Sequence, residues 1–242
     1  MRYIQKSPAP VGFEAWKKAN NPTAWSALQN EPKRREEGIV YYSKKELRSE
    51  LLTEQKHLCC YCQKIIENTI TTVIEHLFPR NGEDKAQGKA KMFDYENLMA
   101  ACDGGSDENR ERKAATKSYP QYCDKHKDED LLPLSPLQPD VESRLTYLQI
   151  GLDEIIISPV SEDDSEAKRA IEILNLNTPK LKNLRGNAIK GEIFQGDELI
   201  SIEAASSRLA QFEQMANDVL NPHLEEFFGV KMHFLRLLSG RH

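Results

Sequence analysis

Residues 58–80 read LCCYCQKIIENTITTVIEHLFPR, and the fold turns on how this stretch is read. It carries Cys59, Cys60 and Cys62, then a run rich in β-branched residues, then the dipeptide Glu75-His76. Cys59-x2-Cys62 is a spacing at which both sulfurs of a tight turn reach one zinc ion, and Cys102 and Cys123 supply two further thiolates for a tetrahedron. Cys102 and Cys123 are far apart in sequence, where a knuckle would place two residues between them, so the fold has to bring them together. Cys60 is left over and is expected to pack inward. All five cysteines fall between Cys59 and Cys123, an odd number in one part of the chain. That pattern suits reduced thiolates on a metal better than a disulfide framework. The competing reading is that some of these thiols are simply buried core residues.

A zinc ion closed by four thiolates supports a fold but leaves no position open for chemistry, so any chemistry belongs to a neighbour. His76 is the candidate, because a neutral imidazole is well suited to take a proton from water near pH 7. The segment TITTVIEH reads as a strand ending at the Glu-His pair. Neighbouring strand residues point to opposite faces, so Glu75 and His76 serve one site only if the strand ends or bends there. Pro79, three residues on, favours such an ending.

Working outward, Ser43 with Glu46 forms a capping box, and Leu47, Leu51 and Leu58 follow at helical spacing, which predicts a helix from about Lys44 to His57. The first forty residues read as short helices and loops, and Pro79 to Lys91 as loop. LTYLQIGLDEIIIS predicts two strands joined by a turn at Gly151 to Asp153. Ser161 is a candidate cap for a helix carrying Ala170, Ile171 and Leu174, and Thr178-Pro179 opens another. A long amphipathic helix is expected from about Glu203, with Leu209, Phe212, Met215, Val219 and Leu220 facing inward until Pro222. The domain division that follows is an N-terminal helical wrapping segment over 1–57, a metal-supported module over 58–130, and a hairpin plus helical region over 131–242.

The 242 residues allow one large domain or two small ones with a core that need not depend on metal. With Lys and Arg at 33 against Asp and Glu at 38, the formal net charge is -5, which weighs against a broad basic grip on nucleic acid. If nucleic acid is the substrate, a partner is expected to help hold it. Arg80, Lys85, Lys89, Lys91, Arg110, Arg112, Lys113 and Lys117 offer a path for a phosphate backbone, although a solvated loop explains any one of them as well. No apolar run approaches a membrane span and MRYIQKSPAPVGF has no apolar signal core, so the expected location is the cytoplasm, with no membrane partner.

Downstream of the opening stretch come MFDYENLMAACDGG, with Asn97-Leu98 ahead of Cys102, and YCDKHKDED, where Asp124, Lys125, His126 and Lys127 follow Cys123 at the start of a short helix. The order Cys-x2-Cys, strand, Glu-His-x2-Pro, Asn-Leu, Cys and Cys-Asp-Lys-His resembles the HNH endonuclease family. Over nearly the whole chain, CCYC, EHLFPR, the split second cysteine pair, the LTYLQIGLDEIII hairpin, ILNLN and LKNLRGNAI are similar to the HNH subunits of Septu-type antiphage defence systems, some of them retron-associated.

The resemblance implies an α+β, mostly helical fold in which a β-β-α-metal (HNH) finger with a structural zinc site is embedded in a helical domain. It implies that His76 is the general base, that Asn97, in a loop between strand and helix, orients it, and that Glu75 with a residue of the short helix holds a catalytic divalent metal, Mg2+. The family's last ligand position falls on Asp124, with His126 as the alternative. The cysteines would hold structural Zn2+. The implied partners are a nucleic acid substrate, an ABC-type ATPase subunit of a defence complex and, in retron-associated members, a retron reverse transcriptase. The alternative function is a zinc-stabilised adaptor that binds nucleic acid or the ATPase without cutting.

Overall fold

The computed structural model describes residues 1–31, 38–106, 119–151, 153–196 and 198–241. The expectation of short helices near the N-terminus is met by α1 (Val11–Asn20) and a single 3-10 turn at Trp25–Ala27, and α1 buries Phe13 and Trp16. Helix α2 spans Lys44–Glu54. Ser43 caps it as expected: the Ser43 Oγ accepts from the Glu46 amide at 3.1 Å, and it donates to the Glu46 carboxylate at 2.6 Å in place of the backbone bond of a full capping box. The helix stops three residues short of His57 because Lys56 and His57 adopt left-handed φ values of 51° and 61°, which no α-helix accommodates.

Strand β1 (Thr72–His76) pairs antiparallel with β2 (Leu98–Cys102), His76 opposite Leu98 and Thr72 opposite Cys102. The strand begins at Thr72, because Thr69 to Thr71 are taken up by a turn in which the Thr69 amide donates to the Glu67 carbonyl and the Thr72 amide to Thr69. Between the strands the chain is not all loop. Asp84 caps a short helix α3 (Lys85–Ala90) by accepting from the Gln87 amide, which corrects the loop expected from Pro79 to Lys91. Every residue of β2 is buried, and α2 packs on both strands. The Gln55 side chain extends the sheet: it accepts from the Ala100 amide at 2.7 Å and donates to the Ala100 carbonyl at 2.8 Å, so the open edge of β2 meets a side-chain amide instead of water.

After α4 (Asp124–Lys127), the expected hairpin forms from β3 (Leu145–Gln149) and β4 (Ile155–Pro159), antiparallel with Tyr147 opposite Ile157. Its turn includes residue 152, outside the described residues. Helix α5 (Ser165–Ile173) starts later than Ser161 implied: Asp164 is the cap, accepting from the Ala167 amide at 2.9 Å, while Ser161 only holds the preceding turn. Helix α6 (Pro179–Ile193) opens as expected, with Thr178 accepting from the Leu181 amide. Two short strands, β5 (Phe194–Gln195) and β6 (Glu198–Leu199), lead to α7 (Ile202–Asn217), and α8 (Phe228–Ser239) packs on α6 and α7.

Helix α7 buries Leu209 and Phe212 but ends at Asn217, so Val219 and Leu220 lie outside it, 92% and 90% exposed, contrary to the expectation that both face inward. The cause is distant in sequence. Lys56, projected by its left-handed backbone, donates to the carbonyls of Met215, Ala216 and Asp218, and an ammonium on the last carbonyls is a favourable helix stop. No helix among the described residues is long and apolar enough to cross a membrane.

Candidate functional site

The Cys59–Cys62 turn is closed by the Gln63 amide donating to the Cys59 carbonyl at 3.1 Å, with Gln63 itself in the left-handed region. β2 delivers Cys102 beside this turn, its amide donating to the Cys59 Sγ at 3.3 Å. Cys123 arrives despite the long excursion because Gly104 permits a close approach. At φ 61°, a Cβ on Gly104 would lie 2.1 Å from the Tyr122 carbonyl oxygen, so only glycine lets the chain leaving β2 touch the residue before Cys123.

The four Sγ atoms of Cys59, Cys62, Cys102 and Cys123 all lie within 4.8 Å of one another and are buried. Cys59 to Cys123 is 4.0 Å and Cys62 to Cys102 is 3.8 Å. A tetrahedron of sulfurs about 2.3 Å from a central ion has edges of roughly 3.8 Å, so the donor set fits zinc in size as well as chemistry. Burial opposes ionisation of Cys59, yet thiol donors from Cys102, Cys123, Cys60 and Cys62 hold its pKa well below the ordinary value, while burial leads the effects that push Cys123 up. Cys60 lies outside the cluster, buried as expected, with its amide on the Ala100 carbonyl.

Beside this cluster β1 ends. Glu75 is buried; its Oε1 accepts from the Tyr61 hydroxyl at 2.9 Å and pairs with the Lys127 ammonium at 2.8 Å. The Asp124 carboxyl is hydrogen-bonded to Glu75, and its pKa is pushed up to about 9 by burial, by that hydrogen bond and by the Glu75 charge. Two carboxyls this close favour a shared proton or a cation over two free charges. Lys127 also donates to the His76 carbonyl at 3.3 Å, so its ammonium ties the strand end to α4.

His76 is also buried, and its Nε2 hydrogen-bonds the Met92 carbonyl at 3.0 Å. A carbonyl only accepts, so Nε2 carries the hydrogen and Nδ1 carries the lone pair. Burial first, and then the Arg80 charge, pull the His76 pKa down to about 4, which keeps the ring neutral at physiological pH. The Trp25 ring meets it edge-on, centroids 4.5 Å apart. His76, Glu75 and Asp124 line one cleft of about 280 Å³ with Pro79, Arg80 and Asn81. The difficulty of two neighbouring strand residues serving one site is resolved by the strand ending at His76.

Asn97 sits between the two strands, in the 3-10 turn Tyr95–Asn97 ahead of β2, and not between a strand and a helix as expected. It holds the loop that follows His76: Oδ1 accepts from the Phe78 amide at 2.7 Å, and Nδ2 donates to the carbonyls of Phe78 and Lys91. His126 is turned away, its Nδ1 on the Ile173 carbonyl at 2.9 Å, so of the two alternatives Asp124 is the one that meets Glu75. Arg110, Arg112, Lys113 and Lys117 lie outside the described residues.

One relative stands out in comparison with known proteins. Over 194 residues, 69% of this chain and 71% of the other, the sequence is 29% identical to "Retron Ec83 putative HNH endonuclease" of Escherichia coli. This likeness supports a relationship to the HNH endonucleases. No family model matches it. Sequence reasoning did not single out Lys127, Tyr61, Met92 or Trp25 for this site. Asp124 and Lys127 are three apart on one helix and so share a face, a signal that was there to be read. The Met92 contribution is a backbone carbonyl and leaves no trace in side-chain chemistry.

Proposed function

We propose that the protein is a metal-dependent HNH endonuclease that hydrolyses phosphodiester bonds in nucleic acid. The observation that carries this reading is the meeting of the Glu75 and Asp124 carboxyls beside a neutral His76 in one cleft. In this reading β1, β2 and α4 are the β-β-α-metal finger, residues 58–130 form the nuclease module with structural zinc on the four cysteines, 1–57 wrap it, and 131–242 complete the molecule.

His76 Nδ1 takes the proton from the attacking water, and the Nε2 hydrogen bond to Met92 fixes the ring for that transfer. Asn97 holds the loop that carries the ring's neighbours. Glu75 and Asp124 supply two hard oxygen donors suited to Mg2+, with Asp124 giving up its proton on binding. When bound, that cation supplies charge stabilisation at the scissile phosphate and the leaving oxygen. A non-catalytic adaptor has no use for a buried carboxyl pair set against an imidazole. The acidic net charge supports a partner that presents the substrate, which in our reading is an ABC-type ATPase of a cytoplasmic antiphage defence complex, joined by a retron reverse transcriptase where the system has one.

The test is His76→Ala, assayed with Mg2+ for nicking of DNA and RNA, alone and with the partner ATPase. We expect a loss of at least about a hundredfold in rate with unchanged zinc content and fold. Full activity in the variant would remove His76 as the base.

A further inference from the structure

Next to His76, two cations converge on one indole ring. The Lys44 ammonium lies 5.3 Å and the Arg80 guanidinium 5.6 Å from the centroid of the half-buried Trp25. Neither forms an ion pair with any described residue. A third cation, the buried Arg48, stands on the same helix as Lys44, its Nε donating to the neutral Asn68 amide oxygen at 3.2 Å. Some other part-buried cations are paired with carboxylates, Lys6 with Glu54, Arg144 with Asp164 and Glu166, and Lys231 with Glu192 and Glu225.

Like charges brought together on a partly buried surface repel one another, and the repulsion persists unless something negative arrives. Burial, Arg80 and Arg48 all depress the Lys44 pKa, the response expected of a cation held among cations. Trp25 contributes a quadrupole face that tolerates both charges without neutralising either. Arg80 lines the same cleft as Glu75, His76 and Asp124, and the Trp25 ring touches His76, so the cluster is continuous with the place where a phosphodiester would be cut.

We propose that Lys44 and Arg80, gathered on Trp25, form a second phosphate subsite that binds the nucleic-acid backbone next to the scissile phosphate. The inference rests on the nuclease reading for the position of the scissile phosphate. The subsite holds a phosphodiester by charge and by the guanidinium fork, without reading bases. It accounts for how an acidic chain engages its substrate locally: the cations are few, but among the described residues they form no ion pair, and they are placed at the cleft. Trp25 is a positioning residue, because it sets the two cations and the edge of the His76 ring relative to each other.

The experiment uses the full chain in a His76→Ala background, so that bound substrate stays intact, with fluorescein-labelled single-stranded DNA, duplex DNA and RNA. Binding is followed by anisotropy through a salt titration, with Lys44→Gln and Arg80→Gln compared against Lys168→Gln, the same charge change on the exposed face of α5. We expect each subsite variant to weaken binding about tenfold and to reduce the slope of log affinity against log salt by about one, with Lys168→Gln changing neither. Arg80→Gln and Lys44→Gln behaving like Lys168→Gln would overturn the subsite, as would a parent protein that binds none of the three polymers.

The nuclease reading fails separately. If the parent sequence with Mg2+ and its partner cuts nothing while the binding differences hold, the subsite stands without the chemistry. If the parent cuts and Arg80→Gln leaves KM unchanged, the chemistry stands and the subsite falls.

Discussion

Lys127 shows how much of a site rests on a residue that resembles ordinary surface. Its side chain is 1% exposed, and the ammonium bridges the Glu75 carboxylate and the His76 carbonyl. Glu75 and Asp124 together bring two acidic groups into a poorly solvated place. The lysine neutralises one, and burial, the Glu75 hydrogen bond and the Glu75 charge push the Asp124 pKa up to about 9. Lys127→Met keeps most of the volume and removes the charge, leaving a buried carboxylate unpaired. We expect it to cost about 3 kcal/mol, read as a lower midpoint in urea unfolding, with part of the loss recovered in the Lys127→Met, Glu75→Gln double variant. A single variant as stable as the parent would mean that the pair contributes nothing net. Residue types and spacing draw attention to Glu75 and His76, and the family resemblance to Asn97. Lys127 is not, because in DKHKDED every residue looks solvated and only the burial of one face of α4 separates them.

At the scale of the element, what the sequence shows depends on whether a choice is made locally. Ser43 with Glu46, and Thr178 with Pro179, are decided within one turn, and both helix starts form where the pattern puts them. The segment Ser161–Ser165 offers several residues able to cap, and local propensity does not choose among them. The choice falls on Asp164 because Arg144, on the far side of the hairpin, grips its carboxylate through two nitrogens at 2.6 and 2.8 Å. The end of α7 is likewise set by Lys56 from another part of the chain.

Hydrogen bonding from Arg144, then from the Ala167 amide, holds the Asp164 pKa down to about 2, below the usual range of roughly 3.9 for an unfolded Asp. A depressed carboxyl stabilises fully above its unfolded pKa, and the contribution is lost as the pH falls through the folded value. Asp164→Asn keeps a capping oxygen and loses the charge. We expect it to cost about 1 kcal/mol at neutral pH, since the pair is partly solvated, and to approach the parent's stability between pH 4 and pH 2 in thermal melts. A gap that stays constant down to pH 2 would assign the loss to packing and not to charge.

Across the whole molecule, the cysteine cluster reaches well beyond its own turn. Gln63, forced into a left-handed conformation by the Cys59–Cys62 turn, accepts from the Phe227 amide with its backbone carbonyl at 2.8 Å. Its side chain accepts from the Gly229 amide at 2.7 Å and donates to the Tyr147 hydroxyl at 3.1 Å. The start of α8 and the β3 strand are thus both hung on the residue next to Cys62, and Gly229 is glycine where a Cβ would sit 2.9 Å from the Gln63 side chain. Lys56, just ahead of the same turn, stops α7. A metal that fixes the four sulfurs therefore also fixes the docking of the C-terminal helices, although a chain this long buries enough core to remain folded without it. Removing the metal with a chelator under reducing conditions should lower the melting temperature by on the order of 10 °C. It should also raise amide exchange at residues 227–230 along with residues 59–64 and 102, because the anchor of α8 is lost with the turn. Exchange that rises at the cysteines while residues 227–230 stay protected would make the cluster a local staple, independent of the helices packed around it.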